Sequence, residues 1–169
     1  MSVAQKIIIM LLLKTAPQDL PYSTALMGRL IFLYIVSGVV VAGRDDPSLA
    51  FGQTLLNVFI MLMFSYVILS ALNLKMRFVQ TVTALIGTGI VFNLLFWPIL
   101  SFNDIEQASV ILVQMLSLAI LMLISWEILV IAHIFRNALN TKMAQAVILS
   151  MALFFVSLTL SQLIFLEPS

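Results

Sequence analysis

The sequence predicts an all-α protein, a polytopic membrane helix bundle of five transmembrane helices preceded by a short interfacial N-terminal helix. Three observations predict it. Of the 169 residues, 63% are hydrophobic and only 9% charged, whereas a soluble domain carries about 25% charged residues. A soluble core of this size could not hide so much apolar surface, so the solvent around the chain is lipid. Five apolar segments approach or exceed the roughly 20 residues that a helix needs to cross a bilayer. The charges that separate them sort by sign to opposite sides. The chain, 1–169, reads as a single membrane domain.

The N-terminal segment 1–23 comes first. Lys6, the apolar run IIIMLLL and Lys14 imitate a signal peptide. The run is only seven residues long, no small-x-small site follows it, and Pro17 comes at once. The expected form is a helix lying in the membrane interface, with Lys6 and Lys14 reaching the headgroups. The first span covers 24–42, with Ser23 or Thr24 as its N-cap after Pro21. The second covers 49–74 and is approached through Asp45, Asp46 and Pro47, with Ser48 as the cap. The third covers 78–99 and ends at Trp97-Pro98, an interfacial anchor beside a helix stop. The fourth, 105–135, exceeds the bilayer thickness and must tilt or project. The fifth covers 143–166. Short connections make sequential helices antiparallel neighbours.

With that count, Lys6, Lys14, Arg29, Lys75, Arg77, Arg136 and Lys142 fall on one side and Arg44 alone on the other. Asp45, Asp46, Asp104, Glu106 and Glu167 lie opposite the basic side. Lys and Arg gather on the cytoplasmic face of membrane proteins. The expected orientation therefore has the N-terminus in the cytoplasm and the C-terminus in the periplasm of a bacterial inner membrane. The absence of an Asn-x-Ser/Thr sequon agrees with a bacterial protein.

Several function classes drop out. Net charge is +1 with no basic patch, so nucleic acid is not a partner. There is no cysteine and only one histidine, which leaves no thiolate or histidine-based metal set and no thiol nucleophile. Gly87-Thr88-Gly89 lacks the GK[ST] of a phosphate loop and sits inside a span. No cofactor and no catalytic residue is expected.

Polar residues inside the spans carry what remains. Gln53, Asn57, Met61 and Ser65 recur every four residues on one helical face, which reads as interhelical hydrogen bonding. The run TALIGTGIVFN, 83–93, places small residues four apart up to Asn93 and reads as a close-packing seam. Ala146, Ser150, Ser157 and Ser161 form a second such seam. Glu127 stands out. It lies nine residues before Arg136, about 13 Å deeper along the helix. An ionised carboxylate there is costly. Glu127 must be protonated, paired with Arg29, hydrogen-bonded to neighbouring helices, or open to a hydrated cavity. His133, Arg136 and Asn137 share a face at the cytoplasmic exit of the same helix, turned away from Glu127.

Two stretches, KTAPQDLPYS at 14–23 and WEILVIAHIFRNAL at 126–139, resemble motifs of a group of small bacterial inner-membrane proteins with no assigned activity. Asp-Leu-Pro-Tyr at 19–22 also bears a looser similarity to the five-span Yip-type membrane proteins, whose motif at this place is of the Asp-Leu-Tyr type. The resemblance implies a membrane fold and carries over no functional residue. By topology both motifs lie at the cytoplasmic surface, where 17–22 is expected to pack on the exit at 133–137, with Asp19 facing Arg136 or His133. The leading expectation is a non-enzymatic membrane protein, a small subunit or assembly factor whose partners are lipids and other membrane proteins or a second copy. The alternative is a small proton-coupled carrier using Glu127 and Arg29, with the seams at Asn57 and Asn93. What separates the two is whether Glu127 faces a cavity.

Overall fold

The computed structural model describes residues 1–44, 46–100 and 110–165, and all regular structure among them is helical. A short helix, α1 (Val3–Leu11), and a 3-10 turn (Pro17–Asp19) precede five helices long and apolar enough to span a membrane. These are α2 (Thr24–Ala42), α3 (Pro47–Ala71), α4 (Phe78–Leu100, entered through a 3-10 turn at Lys75–Arg77), α5 (Val110–Leu139) and α6 (Met143–Phe165).

Local chemistry sets the boundaries. Ser2 and Gln5 form a reciprocal capping box on α1. Ser23 caps α2 by accepting from the Leu26 N–H. The start of α3 differs from the expected Ser48 cap. Asp46 is the N-cap, its carboxylate accepting from the Ser48 and Leu49 amides at 2.9 and 3.0 Å, with Pro47 at the first helical position. Helix α3 stops three residues before the expected 74 because Asn73 is left-handed (φ 58°) and the Leu74 N–H closes back on the Leu69 carbonyl. Helix α4 runs through Pro98 to Leu100; so near the end, the proline costs only the bond to the Leu94 carbonyl. Helix α5 continues past 135 to Leu139, where Asn140 (φ 53°) ends it and the Thr141 N–H returns to the Arg136 carbonyl. Positions 105–109 of the expected fourth span, and Asp45, Asp104, Glu106, Leu166 and Glu167, lie outside the described residues.

Helix α4 is the hub. It packs on α2, α3 and α5, and every residue but one from Val79 to Gly89 is buried. A helix apolar all round belongs inside a bundle. Thr83 and Thr88 return their hydroxyls to the Val79 and Ala84 carbonyls within the helix, so α4 presents methyl groups to its neighbours. Around it, contacts run from α2 to α4, α5, α6, α3 and back to α2. Lys75, Arg77, Arg136 and Lys142 flank the α3–α4 and α5–α6 turns. This is the basic end of the bundle.

Helix α1 occupies a groove on this bundle. Ile7, Met10 and Leu11 are buried, Met10 completely, and Ile7 fills the notch left by Gly87 on α4. Ile8 and Leu12 face outward. The expected short N-terminal helix therefore exists, and one of its faces is part of the core.

Two outcomes follow. Leu13 closes α1 in the left-handed region (φ 60°), a conformation costing a residue with a Cβ about 1 kcal/mol relative to glycine; Leu13→Gly should raise unfolding stability by about that much in a denaturant titration, and a loss of stability would show that the leucine side chain matters more than its backbone. The hydrogen bonds from Ser48 and Leu49 hold the Asp46 carboxyl below its ordinary range. A carboxylate favoured in the folded state stabilises above its unfolded pKa and ceases to do so as pH falls through the depressed value. Asp46→Asn should therefore show a shallower decline of the thermal midpoint than the wild type between about pH 6 and about pH 3.

Candidate functional site

Glu127 is half-buried and opens into a cavity of about 260 Å³. Counting back from Leu139 at about 1.5 Å per residue puts it roughly 18 Å from the basic end, more than half of the roughly 30 Å that a spanning helix must cross. Four helices build the cavity. Glu127 and Ile131, one turn apart, line it from α5. Asn57 and Met61, with the same spacing, line it from α3. Helix α6 contributes Ser157 and Ser161 with Leu153, Phe154 and Leu158, and α2 contributes Tyr34. Among the described residues no Lys, Arg or His lines the cavity.

Helix α4 sets the position of Tyr34 without touching the cavity. A Cβ on Gly89 would stand 2.7 Å from Tyr34 Cε2, so the glycine makes room for the ring. Asn93 Nδ2 donates to Ser37 Oγ at 2.9 Å, and that hydroxyl donates to the Tyr34 carbonyl at 2.9 Å. Asn93 thus braces α2 and does not line the site.

Arg29 is exposed and is absent from the described lining. It precedes Tyr34 by five residues, a rotation of about 140° around α2, so the helix that aims the phenol inward aims the guanidinium outward. The α6 seam divides. Ala146 and Ser150 are fully buried packing residues, whereas Ser157 and Ser161 border open space. The sequence reading missed Tyr34. Its signal was a phenol in the middle of an apolar span, where the hydroxyl must find company.

The N-terminal segment and the second quoted motif meet along α5, from the level of Glu127 to the basic end. Trp126 Nε1–H donates to the Leu11 carbonyl at 3.0 Å and His133 Nε2 lies 2.9 Å from the Thr15 carbonyl. A carbonyl can only accept, so Nε2 of His133 carries the proton. Asn137 Nδ2 donates to the His133 carbonyl, Gln18 Nε2 donates to the Asn137 carbonyl at 2.6 Å, and Gln80 of α4 donates to the Leu20 carbonyl at 2.7 Å. Arg77 completes the exit by donating to the Ala138 carbonyl at 2.8 Å, satisfying an acceptor left over at the end of α5.

Segment 17–22 therefore does pack on 133–137, through different atoms from those expected. The Asp19 carboxylate accepts from the Ala16 N–H at 2.8 Å and caps its own turn. His133 is taken by Thr15, and Arg136 is exposed. The Lys6 ammonium, expected at the headgroups, donates to the Asp19 carbonyl. The physical reason is common to His133 and Lys6. Backbone carbonyls of a non-helical stretch next to hydrocarbon need donors, and the nearby side chains supply them. Among the described residues, no group of three or more His, Asp or Glu side chains could hold a metal.

Trp126→Phe keeps a ring against Phe92, whose centroid lies 5.4 Å away, but leaves the Leu11 carbonyl without a donor. The expected cost is about 1–3 kcal/mol, localised to α1. Hydrogen exchange should speed up across Val3–Leu11 and stay unchanged in α6; a uniform change over all helices would contradict this assignment.

Comparison with protein-family models, with curated proteins and with solved structures found no match.

Proposed function

We propose that this integral membrane protein is a small carrier in which Glu127 exchanges a proton for a solute near the bilayer midplane. The observation that supports this is the opening of Glu127 into a cavity shared by Tyr34, Asn57, Ser157 and Ser161. A structural carboxylate would be enclosed and paired. This one borders space a ligand can fill. In hydrocarbon an ionised carboxylate is costly unless it holds a proton or a counter-charge, so one leaves as the other arrives. Arg29 has no part in the reading, which narrows the carrier that the sequence suggested.

The role of subunit or assembly factor draws on apolar outer faces such as Phe32, Phe59, Met115 and Phe155. Lipid covers such faces as well as a protein partner does, so the cavity favours the carrier. The bundle would sit in a bacterial inner membrane with its basic end, and with it the N-terminal segment, in the cytoplasm.

The test uses proteoliposomes containing a pH-sensitive dye and three solutes of similar size: phenyltrimethylammonium, benzyl alcohol and benzenesulfonate. At least one should drive proton movement in wild-type vesicles, and Glu127→Gln should slow it tenfold or more. Equal rates in the two proteins, or no solute-dependent movement in the wild type, would remove the carrier reading.

A further inference from the structure

We infer that the Glu127 cavity is built for a monovalent organic cation, an ammonium group carried on an apolar body of roughly ten non-hydrogen atoms. This deepens the carrier reading by naming the substrate class, and it rests on that reading only for transport.

The charge of the ligand follows from the lining. The described wall holds one carboxylate and no Lys, Arg or His. An anion would meet Glu127 with nothing to balance it, and a neutral solute would leave the carboxylate uncompensated. A cation satisfies Glu127 directly. The other polar groups suit the same ligand, because the Asn57 side-chain carbonyl and the hydroxyls of Ser157 and Ser161 can all turn an oxygen towards a positive charge, whether or not the nitrogen carries an N–H. Tyr34 and Phe154 add aromatic rings, which attract cations to their faces.

The body of the ligand follows from the rest of the wall. Met61, Ile128, Ile131 and Leu153 are apolar and offer no oxygen. A bare inorganic cation needs an oxygen shell, six to eight ligands for calcium and six for magnesium, which this wall does not supply. An alkyl or aryl group buries apolar surface there. At about 260 Å³, the space falls just below the range of roughly 300–1,000 Å³ typical of drug-sized ligands, which sets the size limit.

The test compares the same three probes as ligands of the purified full-length protein. Phenyltrimethylammonium should raise the thermal midpoint of the wild type, in proportion to concentration at first and logarithmically above its Kd. Benzyl alcohol and benzenesulfonate should have at least tenfold weaker effects, and Glu127→Gln should lose the response to the cation. A variant-free measurement accompanies it: the cation should slow carbodiimide modification of Glu127 in the wild type, while the other two probes leave the rate unchanged. Equal protection by all three probes, protection by none, or stabilisation of Glu127→Gln equal to that of the wild type would overturn the inference. The two readings fail separately. Protection by the cation without proton movement leaves the binding site and removes the carrier. Glu127-dependent proton movement driven only by the neutral or anionic probe leaves the carrier and removes the cation.

Discussion

A carbonyl or amide left unpaired in hydrocarbon costs several kcal/mol, and most of the architecture described above answers to that constraint. Helices meet it for their interiors. What remains is the irregular backbone at helix ends and between 12 and 23. The Leu11, Thr15, Gln18 and Leu20 carbonyls in that stretch each receive a side-chain donor from α4 or α5. The Asn137 and Ala138 carbonyls at the end of α5 receive Gln18 and Arg77. The N-terminal segment and the α5 exit thus serve as each other's caps.

The same constraint explains how the interior is divided. Helix α4 takes its threonine hydroxyls back onto its own backbone and its glycines accept Ile7 and Tyr34, so its neighbours can approach closely. Glu127, Asn57, Ser157 and Ser161 are not consumed in this way and gather between α3, α5 and α6. The cavity gathers several such groups around open space, and that distinguishes it from the seams, where Ser65 keeps a single buried hydroxyl without a partner.

The bundle was legible in the sequence because hydropathy over 20 residues is a strong signal and loop charge checks the count independently. Helix ends were less so. Asp46 displaced Ser48 as a cap, and Arg77 together with Asn140 set the end of α5, details that depend on local geometry and on a distant chain segment. Glu127 was legible as costly, and the spacing of Asn57 and Met61 as an inward face. Which helices shared that face was not. Helical periodicity gives the direction of a side chain relative to its own axis only, so Arg29 and Tyr34 were equally eligible until α2 was placed against α4. The depth of α1 was hidden for a related reason. Its nine residues are too few to span, and length alone does not reveal a groove waiting at Gly87.

Trp126 and Glu127 are consecutive, so about 100° of helix separates them, and α5 carries the anchor of the N-terminal segment on one side and the cavity carboxylate on another. Turning α5 about its axis would re-aim Glu127 only by dragging Trp126 and His133 off the Leu11 and Thr15 carbonyls. The first fifteen residues therefore act as a brake on that rotation, and any motion that presents Glu127 to alternate sides of the membrane must either carry α1 along with α5 as one body or be made by the helices across the cavity.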